Sequence, residues 1–264
     1  ITSPVIDNNN YHTLVSDIAN PLSRFHGGFK ARPASYKQNF GTDFADHSIP
    51  IIPRSEWPDR IEYKEKTKTR LSDIHALMKV PVLNQASNGY CWCFGMVGAL
   101  MMNRATMGLV TRHLSAASLA AQIKNGRNEG GWAGEALEGL PKFGIYENSF
   151  WDEKSRSLSY VDKATEEQKR NAKRYAVPLA LDLARNNFDM LATCLLLNIP
   201  CTMGLMWWGH LIFGLDLVML GRNDFGILIM NSWDETWEDG GKAVLREEKA
   251  QAEEQVAITN VSLY

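Results

Sequence analysis

The chain has 264 residues, 45% apolar and 22% charged, which is enough to bury the core of one large domain or of two closely packed halves. Its formal net charge of −2 gives no electrostatic reason to expect a nucleic acid or an anionic membrane as a partner. Its four cysteines are too few for a disulfide scaffold, and they favour a reducing compartment.

Residues 1–48 are rich in Asn, Pro, Ser and Gly, and we expect them to form an N-terminal extension, either a peripheral arm or a remnant prosegment. No secretory signal is visible at its start, and the first residue is not Met, which suggests a processed chain or a fragment. His12, His26 and His47 lie here without metal-ligand spacing, so an arm is favoured over a metal-binding segment. Such an arm could also join the protein to a larger assembly.

The next part of the chain is predicted to be mainly helical. Pro50 and Pro53 favour extended structure around them, and Glu62–Arg70 alternates in charge, as is typical of a solvated loop. Periodic apolar residues and capping signals then predict helices over 72–79, from 88 onwards, and over 115–124, 132–140, 165–175 and 188–198.

After Pro200 the pattern changes to apolar runs separated by turn residues, and Gly221–Asp224 is predicted to be a hairpin turn. The predicted strands are 202–206, 210–220, 225–230, 241–246 and 255–264, after an earlier strand over 177–183. Helices before about residue 190 and strands after it predict an α+β chain with two unlike halves. We expect a ligand-binding cleft between the halves.

One segment has the length of a membrane span, because Met190–Leu215 contains no Asp, Glu, Lys or Arg. Asn198 and Pro200 interrupt it, however, and Gly204, Gly209 and His210 follow. The pattern therefore favours a buried helix that runs into a buried strand.

The stretch from Gln85 to Phe94 contains the residues with the clearest chemical use. Cys91 lies at the predicted start of a helix, where unpaired N–H groups and the helix dipole favour a thiolate. Gln85 lies six residues earlier, and a side-chain amide can donate to an oxyanion beside the backbone N–H of the nucleophile. These residues predict acyl transfer by an activated thiol.

This stretch, Gln85-x5-Cys91-Trp92-x-Phe94, is similar to the nucleophile motif of the papain-like cysteine peptidases. Further motifs of that family follow in its order over residues 49–264. They are Pro81-Val-x-Asn-Gln85, Leu114-Ser115, Glu129-Gly130-Gly131, His210 before an apolar strand, Asn231-Ser232-Trp233, Trp237, Gly241-Lys-Ala-Val-Leu245 and Val261-Ser-Leu-Tyr264.

The resemblance implies a two-lobed fold over residues 49–264, with a helical lobe over about 81–190, a β-barrel-like lobe over about 191–264 and the active site between them. It implies that Cys91 is the nucleophile, that His210 is its acid and base, that Asn231 orients His210, and that Gln85 holds the oxyanion. It implies no cofactor and no metal. The substrate-binding residues that it implies are Gly89, Gly130, Gly131, Trp208, Gly209 and Trp233.

Several residues have competing interpretations. His75 and His113 are rival bases, although neither opens an apolar strand, and His210 alone would be interpreted as a core histidine. Cys93 is two residues from Cys91 on a helix, so the two thiols face apart and a metal pair is disfavoured. Cys194 and Cys201 are interpreted as core residues.

The sequence also departs from the family pattern. Asn88 and Asn128 stand where many secreted members have a bridged cysteine pair, and Tyr90 replaces a usually small residue. The connection before His210 is short and carries Trp207 and Trp208, which should line the cleft wall. The acidic residues Asp234, Glu235, Glu238 and Asp239 replace glycines; they either favour basic substrates or form a solvated rim. Phe44-Ala-Asp46 faintly resembles a prosegment motif, which leaves an autoinhibitory role for the extension open.

The leading hypothesis is a cysteine endopeptidase that cleaves peptide or protein substrates through a thioester on Cys91. One alternative is a papain-fold binding or structural protein of a larger assembly, with weak or no catalysis. Another is a thiol amidase that acts on cell-wall peptides.

Overall fold

In the computed structural model, residues 2–13, 28–33, 50–175 and 179–260 are described, and the fold below refers to them. The segments Phe44–Asp46 and Val261–Tyr264, and the histidines His26 and His47, lie outside the described residues.

The helices lie mostly in the first two thirds of the chain. After a 3₁₀ turn at Arg54–Glu56, they are α1 (Trp57–Thr67), α2 (Leu71–Leu77), α3 (Cys91–Thr106), α4 (Ala116–Lys124), α5 (Ala133–Phe143), α6 (Ser159–Lys163), α7 (Glu166–Lys173) and α8 (Phe188–Leu196).

The strands form one mixed sheet, in which every neighbouring pair is antiparallel except β1 and β6. They are β1 (Val5–Ile6), β2 (Leu179–Leu183), β3 (Cys201–Leu205), β4 (His210–Gly221), β5 (Asp224–Met230), β6 (Lys242–Arg246) and β7 (Glu254–Asn260). Their order across the sheet is β1-β6-β5-β4-β3-β7-β2.

The α+β prediction is confirmed, but the β-barrel-like lobe is not. A barrel requires the two edge strands to pair. Here β1 pairs with β6 and β2 pairs with β7, and these two strands stay at opposite edges of the described sheet. The sheet is therefore open, and one of its edges is covered by a strand from the N-terminal extension.

Two expectations about the membrane-like segment and the hairpin are confirmed. The long uncharged segment consists of α8 followed by β3 and the start of β4, as predicted. The hairpin joins β4 to β5, with Asn223 at a φ of 58°. Among the described residues, no helix is long and apolar enough to cross a membrane.

The loop predicted over Glu62–Arg70 is wrong, because most of it belongs to α1. The buried apolar residues of this helix are only Trp57 and Ile61, while Lys64 buries its stem and donates to carbonyls at the end of α8. A helix with so few apolar residues has a weak periodic signal, which the alternating charges of its exposed face obscure.

Helix α3 is the centre of the molecule and packs on the sheet. Periodic apolar residues predicted this helix, and its residues are buried on nearly all sides, with Arg104 and Thr106 as the partly exposed members. Gly95 and Gly98 face β4 so closely that a Cβ atom at either position would lie 2.5 Å from Leu211 or Phe213. These glycines therefore set the distance between the start of α3 and the start of β4.

Candidate active site

Cys91 is the first residue of α3, and His210 is the first residue of β4. Because α3 lies directly against β4 through Gly95 and Gly98, the two residues begin neighbouring elements. The backbone of Leu211, the residue after His210, lies close enough to the Cys91 thiol to lower its pKa. The fold thus brings the predicted nucleophile beside the strand that carries the predicted base.

His210 is held by hydrogen bonding and by ring packing. Its Nε2 lies 2.8 Å from Asn231 Oδ1, and the same oxygen accepts from the Ser232 N–H at 2.8 Å. Since that atom accepts from a backbone N–H, it is the amide oxygen, and Nε2 of His210 is the donor. The other ring nitrogen, Nδ1, is then the atom that can exchange protons with a thiol or a substrate.

Indole rings enclose this imidazole. The ring of Trp208 lies 4.8 Å from the His210 ring and that of Trp233 lies 4.9 Å from it, measured between centroids. We had expected Trp208 to line the cleft wall. Its side chain is instead 1% exposed and packs against the histidine ring. Trp207 packs instead against Tyr11 of the extension. These rings exclude water from the His210–Asn231 bond.

Gln85 is fixed by groups on both sides of its amide. Its Oε1 accepts from Ser232 Oγ at 2.6 Å, and its Nε2 donates to the Asn88 carbonyl at 2.9 Å. Its backbone N–H donates to the Ser232 carbonyl, which ties the loop before Cys91 to the loop after Asn231. Ser232 therefore positions Gln85, a role that the sequence motif alone did not identify.

The rival histidines have other surroundings. His113 Nε2 lies 2.9 Å from Glu153 Oε2, and Glu153 also accepts from the backbone N–H of Asn84. Burial lowers the pKa of His75 to about 4, and the charge of Lys242 acts in the same direction. Of the three candidates, His210 is the one that is bonded to Asn231.

The thiol of Cys91 is fully buried, and burial raises its pKa to about 12. Hydrogen bonds with the backbone of Leu211, Trp92 and Gly28 act in the opposite direction, but they are smaller influences. The helix N-terminus was expected to lower this pKa. In the arrangement described, loss of solvation outweighs it, and the thiol is protonated at neutral pH.

The contact with Gly28 shows where part of the extension lies, which the sequence did not predict. Residues 28–33 of the extension, here called the cleft segment, lie along the candidate site. Phe29 N–H donates to the Gly209 carbonyl at 3.1 Å, Lys30 N–H donates to the Gly131 carbonyl at 2.9 Å, and Gly131 N–H donates to the Gly28 carbonyl at 2.9 Å. Phe29 and Gly131 thereby form a parallel bridge.

The predicted glycines allow this close approach. A Cβ atom on Gly130 would lie 2.4 Å from the Gly28 oxygen, and one on Gly28 would lie 2.4 Å from the Gly89 oxygen. The Phe29 ring lies on Gly204, where a Cβ would be 2.4 Å from the ring. Gly89, Gly130, Gly131 and Gly209 therefore all lie against the peptide backbone that fills the cleft.

Asn128 holds the loop before the nucleophile. Its Oδ1 accepts from the Gly89 N–H at 2.7 Å, and its Nδ2 donates to the Ser87 carbonyl at 3.2 Å. The Tyr90 hydroxyl donates to the Arg127 carbonyl beside it, at 2.8 Å. Asn88 makes a different bond, to the Lys154 carbonyl. At one of the two positions where a bridged cysteine pair was considered from the sequence, this chain therefore has an amide that holds the loop before Cys91.

The acidic patch is partly used within the protein. Asp234 accepts from Asn84 Nδ2 at 2.8 Å, and Asp239 accepts from Ser3 Oγ at 2.6 Å. Glu235 and Glu238 are exposed. Among the described residues, no group of three or more His, Cys, Asp or Glu side chains could hold a metal ion.

No family model and no curated protein sequence matches this chain. Solved structures do match it. Digestive procathepsin L 3 of Tenebrio molitor larval midgut is 15% identical, with a TM-score of 0.63 over 88% of this chain and 76% of that one. The Amb a 11 cysteine protease, a ragweed pollen allergen in its proform, is 16% identical, with a TM-score of 0.60 over 84% and 71%.

A third structure is the Carica candamarcensis cysteine protease CMS1MS2 in complex with E-64. It is 20% identical, with a TM-score of 0.55 over 71% of this chain and 97% of that one. At these identities the similarity concerns the fold. The chain has the fold of papain-like cysteine proteases, as the motifs predicted.

Proposed function

We propose that this chain, which has the papain-like fold, is a cysteine endopeptidase. One observation carries the proposal: an extended peptide, the cleft segment, lies beside Cys91 with its backbone bonded to Gly131 and Gly209. Main-chain hydrogen bonds of this kind recognise a peptide without regard to its side chains. A cleft that accepts an extended backbone beside a thiol and an oriented imidazole suits peptide hydrolysis.

In the proposed mechanism the Cys91 thiolate attacks the carbonyl carbon of the scissile bond while His210 carries the proton. The oxyanion that forms accepts hydrogen bonds from Gln85 Nε2 and from the Cys91 N–H. His210 then protonates the leaving amine, the C–N bond breaks, and a thioester remains on Cys91. His210 next takes a proton from water, which attacks the thioester and releases the acid and the thiol.

We further propose that the form described is latent. The cleft segment buries the thiol, and its Gly28 carbonyl is bonded to the Gly131 N–H rather than directed at the oxyanion donors. The segment therefore blocks the site without presenting a bond for cleavage. Two of the similar structures are a procathepsin and a proform, which supports an inhibitory role for the extension.

The other hypotheses have less support. A binding protein of a larger assembly is favoured only by the extension, whose strand β1 covers the β6 edge of the sheet. An amidase for cell-wall peptides would use the same thiol chemistry, and a substrate screen separates it from a peptidase.

All four cysteines are free thiols, which supports the proposal of a reducing compartment.

The test uses the full chain with Phe29→Asp, which replaces a buried ring that lies on Gly204 by a carboxylate and so should displace the cleft segment. We expect this variant to hydrolyse a mixed peptide library and the wild type to hydrolyse it much more slowly. Cys91→Ala in the same background is the control and should abolish turnover. If Phe29→Asp folds, as circular dichroism can establish, and cleaves nothing, or if Cys91→Ala cleaves equally well, the peptidase proposal fails.

A further inference from the structure

Near its end the cleft segment carries an arginine, Arg32, that is bound by a largely buried acid. Arg32 makes a bidentate bond to Asp182 of β2, with N–O distances of 2.6 and 3.1 Å. The two side chains are 10% and 16% exposed. A planar guanidinium matches both oxygens of a carboxylate, so this contact is selective for arginine in geometry as well as in charge.

A second acid lies behind this ion pair. Glu254 of β7 is 2% exposed; its Oε2 accepts from the Ala133 N–H at 3.2 Å, and within the described residues its Oε1 has no hydrogen-bond partner. Burial raises the pKa of Glu254 to about 7, while the hydrogen bond from Ala133 and the nearby charge of Arg32 act in the opposite direction. A buried carboxylate oxygen without a donor is costly unless a ligand supplies one.

The sheet register places both acids beside the Phe29 pocket. Gly204, on which the Phe29 ring lies, is the register partner of Glu254, and Asp182 is the register partner of Val256. Partners directly opposite each other share a face of the sheet, as do residues two apart in one strand. Gly204, Glu254 and Asp182 therefore line one continuous face under the cleft segment.

We propose that Asp182 and Glu254 form an acidic subsite that binds an arginine side chain of the substrate, and that Arg32 occupies this subsite in the latent chain. The inference rests on the proposed function and extends it to a substrate class: peptides with arginine in the half of the substrate that precedes the scissile bond. When the cleft segment leaves, two largely buried carboxylates lose their cation. A substrate guanidinium restores both the charge and the donors.

Lysine would satisfy the subsite less well. An ammonium carries one compact charge and cannot make two parallel bonds to Asp182, and its desolvation is more costly. Citrulline has nearly the shape of arginine without the charge. At one peptide position, comparison of arginine with citrulline therefore measures the effect of the charge at nearly constant shape. Comparison of arginine with lysine measures the effect of the planar guanidinium at constant charge.

The first experiment measures hydrolysis by full-chain Phe29→Asp. Peptides that differ only in arginine, lysine or citrulline at each of the positions before the scissile bond are compared by kcat/KM. We expect arginine peptides to be cleaved roughly tenfold or more faster than citrulline peptides at one of these positions. Adding Asp182→Asn and Glu254→Gln should remove this preference while citrulline peptides are still cleaved. Hydrolysis without an arginine preference would overturn the subsite.

The second experiment does not depend on activity. Full-chain Arg32→Ala is titrated with methylguanidinium, with methylammonium as the matched control, and thermal unfolding is followed. We expect saturable stabilisation by methylguanidinium that is lost in Arg32→Ala/Asp182→Asn. Absence of a difference between these two variants would overturn the subsite. Saturable binding together with no peptide hydrolysis would instead overturn the proposed function, so the two failures are distinguishable.

Discussion

At Cys91, two influences on the thiol oppose each other. The N–H donors around it favour the thiolate, whereas burial under the cleft segment favours the neutral thiol and raises the pKa to about 12. The burial arises partly from residue 28, which belongs to the extension. On our account, the same residue is therefore inert or nucleophilic according to whether the cleft segment is in place.

Asn128 offers a test of how the nucleophile loop is held. Asn128→Ala removes both bonds to the loop, whereas Asn128→Asp keeps an acceptor for the Gly89 N–H and loses the donor to the Ser87 carbonyl. We expect Asn128→Ala to lower the free energy of unfolding by about 1–2 kcal/mol and Asn128→Asp by less. Urea unfolding measures this. Equal effects of the two variants would contradict a role for the Gly89 bond.

Glu254 should make stability depend on pH. Burial raises its pKa from the ordinary 4.5 to about 7, so the folded protein binds this proton more tightly than the unfolded chain does. The contribution to the free energy of unfolding should therefore fall as pH rises from about 4.5 to about 7, by at most about 3 kcal/mol. In Glu254→Gln this fall should be absent. Urea unfolding across that range gives the difference, and parallel profiles of the two proteins would contradict the assignment.

At the scale of elements, the contact between α3 and β4 decides where the side chains that we propose to be catalytic meet. A Cβ at Gly98 would lie 2.5 and 2.8 Å from atoms of the Phe213 ring. Although alanine is the better helix former by about 1 kcal/mol, overpacking typically costs about 1–3 kcal/mol. We expect Gly98→Ala to be destabilised and to lose turnover in the Phe29→Asp background.

The matched control for this contact is Gly221→Ala at the end of β4, the strand that carries Phe213, where the atom nearest to an added Cβ would be 3.7 Å away. That variant should be close to the wild type in thermal unfolding. If Gly98→Ala is as stable as Gly221→Ala, the close approach of α3 to β4 does not set the geometry of the site.

Elements with strong local signals were predictable. The helix at Cys91, the helix capped by Thr165, the hairpin at Gly221–Asp224 and the break between α8 and β3 all follow from periodicity, capping or turn residues. Helix α1 was missed because its buried stripe is short and its exposed face is highly charged. The open sheet was missed because edge pairing depends on residues far apart in sequence.

At the scale of the whole molecule, the extension contacts the body at several distant places. Its strand β1 pairs with β6, and Tyr11 packs on Trp207, with the Lys249 ammonium 3.4 Å from the centre of the Tyr11 ring. Residues 28–33 then lie in the cleft. None of these contacts has a local sequence signature, since each joins residues about a hundred or more positions apart.

Some residues of the candidate site could be predicted from the sequence, and others could not because their contacts join distant parts of the chain. Cys91, His210, Asn231 and Gln85 could be named from motifs, because the chemistry requires particular residue types in a particular order. Asp182 and Glu254 could not, since their relation to Arg32 arises only when β2, β7 and the cleft segment come together. The short connection before His210 was anticipated, but the burial of Trp208 behind the imidazole was not.

The central claim, that Cys91 is a thiol activated by His210 once the cleft is open, is tested most directly by alkylation. Full-chain wild type, Phe29→Asp and Phe29→Asp/His210→Ala are treated with iodoacetamide at about pH 6, and adducts at the four cysteines are followed by mass spectrometry. We predict that Cys91 in Phe29→Asp reacts at least about tenfold faster than Cys93, Cys194 or Cys201, and that this selectivity disappears in the wild type and without His210. If Cys91 in Phe29→Asp reacts no faster than the other three thiols, the activated pair does not exist.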